Sequence, residues 1–372
     1  MFNETIVEQN RWSSLGWYII YIFQGLVIGL LNVFIALVIL RYPALKSRKE
    51  YLILAGQMAA DGCNQITYLV AGALRIFKLA TATTRELATP LTGWECLHAP
   101  YCLLWLWTDS LASLMLVVVS LDRLFAVSLP LEYIGWGRRY AYLMVGGSYT
   151  YCWLSGGVGY LSAFLNRHND QPRFSLMCSR MTSTWDQHFP LYTLYYRNLP
   201  AVAALLSIVL YLAVLVQYKR KQSSLSPALA EKQYKQELKL QRSLNITIGI
   251  SSGCTLLFNI IPYQFGYYLH ELGLNHYAAW VMTNLNPLAN VFIYPLRQNN
   301  IRKGVFSFLE CRTMPEDLKM WASHGSTITR HNTTTRNKQS DQENVVEVGE
   351  EKPVEEEQMR KPVGKTEKAF HR

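Results

Sequence analysis

Among the ionisable side chains in the long apolar runs of this chain, four are singled out: Asp61, Asp109 and the adjacent pair Asp122 and Arg123. A charge in such surroundings costs several kcal/mol if the run lies in lipid, so each is a functional candidate. Asp122 and Arg123 are neighbours on a helix and do not face each other squarely. The acid is still near enough to hold the guanidinium at the end of its run. The arginine is then either one side of a bistable contact, held in one state and released in another, or half of a boundary pair that anchors the helix. Asp61 has candidate partners in Asn286 and Asn290, four residues apart and so on one helix face, and in Asn32 of the first run. A carboxylate facing three amides can be satisfied through water or a small cation; otherwise the group is a hydrogen-bond network that fixes helix packing. Catalytic chemistry is not indicated. The runs hold no paired catalytic carboxylates, no Gly-rich loop and no His/Cys metal cluster, and His98, His270 and His276 sit near run ends. An ion-coupled pump or transporter would be expected to line its path with more charge.

The elements that must position these residues are seven apolar runs, at about 17–40, 51–77, 97–127, 139–164, 195–218, 243–269 and 277–296. About 20 apolar residues cross a bilayer as a helix, and other backbone conformations would leave polar groups unpaired in lipid. A soluble helical core could hold one or two such runs but not seven. Composition agrees: 50% of the 372 residues are hydrophobic and 17% charged, against about 25% charged in soluble domains. The 23 Tyr and 10 Trp suit aromatic belts at two interfaces. The net charge of +10 falls in short loops between the runs, which is the pattern of cytoplasmic retention and not of nucleic-acid binding. With seven cysteines and no metal-ligand spacing, a disulfide scaffold is not expected, though one extracellular pair is compatible.

Basic residues cluster in alternate connections: Arg41, Lys46, Arg48 and Lys49; Arg138 and Arg139; Lys219, Arg220, Lys221, Lys232, Lys235, Lys239 and Arg242; and Arg297, Arg302 and Lys303. These should be cytoplasmic and the N-terminus extracellular, in a multi-pass plasma-membrane protein. The opposite loops carry some basic residues too, such as Arg85, Arg167 and Arg173. Residues 1–16 are polar, so no signal peptide is expected, and the run from Trp17 reads as a membrane anchor. Three parts follow: an extracellular N-terminus (1–16), a helical domain (17–311) and a cytoplasmic tail (312–372). Asn3 opens a glycosylation sequon on the outer side; the similar triplets at Asn245 and Asn332 fall on the wrong side. Beyond residue 312, Ser, Thr and Asn concentrate between Ser323 and Ser340 and acids between Asp341 and Glu357. Without apolar periodicity this tail should be disordered, either a kinase substrate or a plain solvated tail.

These residues together resemble the rhodopsin-like (class A) G-protein-coupled receptors over about 17–311. Asn32 and Asp61 look like the markers of helices 1 and 2. Ser120-Leu121-Asp122-Arg123-Leu124 looks like the Asp-Arg-Tyr box with Leu124 for Tyr. Pro200 and Pro262 match prolines of helices 5 and 6, and Asn290 through Tyr294 looks like the Asn-Pro-x-x-Tyr box with Pro287 one turn outward. The stretch Leu121 through Tyr133, with that displaced proline, is similar to nematode serpentine chemoreceptors of the Srsx type. The resemblance implies an all-α membrane fold: a seven-transmembrane helix bundle with a short amphipathic eighth helix, here Arg302 through Cys311. It implies an extracellular small-molecule or peptide ligand bound in the bundle and a heterotrimeric G protein inside, with chemosensory or neuromodulator function. Receptor kinase and arrestin would act through the tail.

Residue by residue, the resemblance makes Arg123 the hinge that meets the G protein and Tyr294 a side chain that swings inward on activation. It makes Asp61, Asn290 and Asn286 a sodium pocket, although Ala112 offers no hydroxyl there. It pairs Cys96 with Cys178, beside Trp94, and makes Cys311 a palmitoylation site. The ligand would meet Trp105, Thr108, Asp109, Gln264, Tyr267, Tyr268 and Asn284, mostly aromatic with a few polar fixing points. Asp109 is either a cation-binding group or a packing residue. Helix 7 has no lysine for a retinal Schiff base, and Asn284 holds that place, so no cofactor is expected. Ile260, Arg242 and Ile208 depart from the usual helix 6 Trp, helix 6 acid and helix 5 Tyr, which suggests a weakly held inactive state. The rival function class is a seven-helix channel or transporter.

Overall fold

A computed structural model of the chain describes residues 4–168, 172, 175–178, 190–224 and 281–311, with positions 246, 250, 253, 254 and 257 between them. The chain divides into residues 1–326 and 327–372, and the second unit lies outside the described residues. The long helices are α1 (Glu4–Arg41), α3 (Lys49–Thr81), α6 (Pro100–Ser128), α8 (Arg138–Asn166) and α9 (Pro190–Ser224). Short helices α2 (Pro43–Lys46), α4 (Thr84–Ala88), α5 (Gly93–Leu97) and α7 (Pro130–Gly135) fill the connections. Near the C-terminal side come α10 (Leu285–Arg297) and α11 (Asn299–Leu309). Six of the seven expected runs are thus helical where described, and the remaining one, 243–269, falls largely outside the described residues.

Two helices differ in extent from the apolar runs. Helix α1 starts at Glu4 and so extends through the polar stretch that precedes the run near residue 17. A helix satisfies its backbone internally, and nothing in that requires its outer turns to be apolar. The third run does not begin at residue 97: the chain makes α5, breaks at His98 and Ala99, and restarts with Pro100 in the first turn of α6. A proline is tolerated there because the first-turn N–H groups have no intrahelical partner.

Helix α3 packs against α1, α6 and α8, and α6 packs against α9. The α1–α3 contact is close enough that a Cβ on Gly25 would lie 2.5 Å from the Leu69 nitrogen, and one on Gly72 would lie 2.7 Å from the Tyr18 carbonyl. Small residues at such crossings let backbones approach where lipid gives no hydrophobic drive to associate. Tyr18 meets the end of α3 and Ile39 its beginning, so the two helices run antiparallel. Helices α1 (Ser14–Arg41) and α6 are each long and apolar enough to cross a membrane. The rim is apolar: Phe23, Leu30 and Leu37 on α1, and Leu143, Trp153, Leu154 and Leu165 on α8, are all exposed. On a water-soluble protein so large an apolar surface would be an aggregation hazard; against lipid tails it is the expected exterior.

Candidate functional site

At one end of the bundle Asp122 and Arg123 are both buried and form an ion pair with each other. A third residue completes them. The Tyr133 hydroxyl on α7 donates to Asp122 Oδ1 at 2.9 Å, and Arg123 reaches the same hydroxyl at 3.4 Å. Helix α7 is itself fastened by Lys49, whose ammonium donates to the Tyr133 and Trp136 carbonyls and lies 3.7 Å from the Tyr133 ring centre. Glu50 is buried beside them with Oε2 lacking a partner, close enough to act electrostatically on Arg123 and Asp122. Burial first, and then the Glu50 carboxylate, push the Tyr133 hydroxyl well above its ordinary value. It therefore stays a neutral donor to Asp122 at neutral pH.

Halfway along the bundle, Asp61 accepts from Gln57 Nε2 at 3.1 Å and from Asn290 Nδ2 at 3.4 Å. Asn32 does not reach Asp61 directly. Its amide donates to the Ile28 carbonyl at 2.9 Å and the Pro287 carbonyl at 3.5 Å, tying α1 to α10. Asn286 is buried on α10. Tyr294 is buried in a cluster with Ile39, Leu54, Met58 and Ile301, seated between α1, α3 and α11.

The opposite end carries the disulfide Cys96–Cys178, with Cα atoms 5.4 Å apart. Trp94 packs on the α8 side, 5.6 Å from both the Tyr160 and Phe164 rings. Trp105 is buried edge-on against Tyr68 and Tyr101. Thr108 is turned into the α3–α6 seam, with its hydroxyl 3.3 Å from both Thr67 Oγ1 and Asn64 Oδ1. Asp109 is buried on α6, four residues on from Trp105. Asn284 links three segments: it accepts from Gln65 Nε2 at 2.9 Å and donates to Gln24 Oε1 at 3.3 Å. Trp105, Thr108, Asp109 and Asn284 are thus all buried in the half of the bundle nearer the disulfide, while Gln264, Tyr267 and Tyr268 lie outside the described residues, as does Asn3. Cys311 is exposed after α11 in a left-handed backbone conformation (φ 52°), its N–H closing on the Phe308 carbonyl at 3.1 Å. Exposed Phe306 and Leu309 precede it.

The model of the family described as serpentine type 7TM GPCR chemoreceptor Srsx matches residues 26–309. The chain belongs to that family. It is accordingly a multi-pass membrane protein of the serpentine receptor type, and the Srsx family is one of chemoreceptors and not of enzymes. A G protein and a ligand are the partners such membership implies in general terms. No curated protein matches the chain.

Sequence reasoning missed several buried polar residues of this Srsx chain. The apolar runs hold more charge than the four residues singled out from the sequence. Arg75, within the expected run 51–77, is buried, and Lys49 and Glu50 are buried at the start of α3. Counting every Arg, Lys and Glu in and beside the runs would have found all three. Gln57, Gln65 and Tyr133 gave no comparable signal, because an uncharged polar residue in a helix or loop is ordinary until its neighbours are known.

Proposed function

We propose that this Srsx protein binds an extracellular ligand in the disulfide-end half of the bundle and passes the event to a heterotrimeric G protein at the Asp122–Arg123 end. The observation that carries the reading is the buried Asp122–Arg123–Tyr133 unit. It is an arginine held by a local acid and a loop hydroxyl, so release of Arg123 requires no partner to be destroyed. In this reading the N-terminus with Asn3 is extracellular and the tail is cytoplasmic, where a receptor kinase and arrestin would act. Cys311, exposed beside Phe306 and Leu309, is a palmitoylation site at the cytoplasmic interface. Sodium near Asp61 is part of the proposal: Asn32 Oδ1 and Gln57 Oε1 are buried without partners and, with the carboxylate, supply oxygen donors of the kind a hard cation takes.

The reading is tested by nucleotide exchange on purified G proteins with the full chain in lipid nanodiscs, over a library of volatile, amine and peptide compounds. Exchange that rises with one compound supports it. Compound-dependent ion current or uptake with no exchange on any G protein would replace it with the channel or transporter reading.

A further inference from the structure

Arg75 lies near the disulfide end of α3 and is only 4% exposed. Its Nε donates to the Met177 carbonyl at 2.9 Å and its Nη2 to the Cys178 carbonyl at 2.6 Å. Its guanidinium carbon stands 5.0 Å from the Tyr101 ring centre, 5.2 Å from that of Trp105 and 5.6 Å from that of Tyr18. A guanidinium has five N–H donors, and the loop carbonyls take two of them. Tyr101, whose own hydroxyl donates to the Met177 carbonyl at 2.9 Å, stands beside the same group.

No carboxylate forms an ion pair with Arg75 among the described residues. Among the described residues, the loop acids Glu86 and Glu95 are committed elsewhere: Glu86 accepts from Thr83 and Glu95 from Thr92, each closing a capping box in its own short helix. Asp109 is one turn further along α6 than Trp105. A second cation adds to the imbalance. Lys78, three residues on and so on the same face of α3, is half-buried and donates to the Leu176 carbonyl at 3.3 Å. A buried cation ordinarily keeps an anionic partner, because carbonyls and ring faces replace only part of its lost hydration. Arg123 at the other end obeys that rule with Asp122.

We propose that the disulfide end of the bundle binds a ligand bearing a carboxylate, with Arg75 as its ion-pair partner, Lys78 as the cation at its approach and the rings of Tyr18, Tyr101 and Trp105 against its carbon body. The planar fork of Arg75 matches a carboxylate in two parallel hydrogen bonds, and the aromatic walls favour an acid with an apolar body. This names the ligand class of the receptor reading and rests on it. It also gives the ligand a route to the loop, since the group that takes the acid also holds the carbonyls of residues 177 and 178.

The test is thermal unfolding of the full chain in nanodiscs with a panel of monocarboxylates that includes hexanoate, benzoate and phenylacetate, each set against its primary amide. At least one acid should raise the melting temperature while its amide does not. Arg75→Gln should weaken that binding by ~100-fold, and Arg75→Lys should keep part of it. If Arg75→Gln fails to fold, Tyr18→Glu serves instead: an internal carboxylate beside Arg75 should stabilise the free protein and exclude the acid. The proposal is overturned if no acid in the panel stabilises, if the amides stabilise equally, or if Tyr18→Glu leaves acid binding unchanged. Acid binding without nucleotide exchange would overturn the G-protein reading alone. Exchange driven by another compound, with the acids inert, would overturn this proposal alone.

Discussion

At the Asp122–Arg123 end, two cations and two carboxylates are buried together: Lys49 and Arg123 with Glu50 and Asp122. At the disulfide end, Arg75 and Lys78 meet loop carbonyls and aromatic rings, and no described acid pairs with Arg75. Burying an unpaired ion is expensive, whereas a buried pair with its hydrogen bonds satisfied comes near to breaking even. The first end therefore holds its ion pair as folded and suits a contact that toggles between internal partners. The second is complete only in part, through a loop held in place by a disulfide, and suits an element whose stability changes when an anion arrives. The same helices carry both ends, since α3 holds Glu50 and Arg75, and α6 holds Trp105 and Arg123.

Single substitutions separate the two ends. The largest effect should come from Cys178→Ala, which frees the loop carbonyls held by Arg75. A loss of about 2–4 kcal/mol is expected, read as a lower melting temperature and low surface expression; an unchanged melting temperature would show that Arg75 does not depend on that loop. At the other end, Tyr133→Phe removes one donor from a buried carboxylate and should cost about 1.5 kcal/mol. It should also raise ligand-free signalling in a reporter assay, and a silent variant would remove Tyr133 from the hold on Arg123. Glu50→Gln leaves that end with one carboxylate for two cations. We expect about 1 kcal/mol less restraint on Arg123, roughly a fivefold rise in basal signal, and a fall in basal signal would reverse the role given to Glu50. The smallest effect should be that of Ser120→Ala, which breaks the 2.8 Å hydroxyl pair with Ser207 between α6 and α9. A change of about 0.6 kcal/mol is the usual size for such a bond in a membrane, and a shift above the Tyr133→Phe effect would mean that the contact with α9 contributes more to this end than the Tyr133 hydroxyl does.

Much of this was legible in the sequence, for physical reasons that also mark its limits. Helix extents followed from bilayer thickness: the run expected at 139–164 is the helix Arg138–Asn166. Asp61 and Asn290 could be paired beforehand because one buried carboxylate limits its partners to polar residues on facing helices. The disulfide came from the resemblance and not from spacing. Lys49 counted in the sequence as one more basic loop residue; nothing in a loop charge tells whether it faces water or caps a neighbouring turn, as Lys49 does for α7. Arg75 was hidden for the opposite reason, by sitting in a stretch read for its apolar residues. Both are settled only by which carbonyls and rings the bundle brings to them.

The most direct test of the account is the response of cells expressing Arg123→Ala, measured by cyclic-AMP and calcium reporters against a compound that activates the unsubstituted receptor, with surface level read from an N-terminal epitope on unpermeabilised cells. Normal surface staining and no response are expected. An unchanged response from Arg123→Ala at equal surface level would remove that arginine from the signalling role.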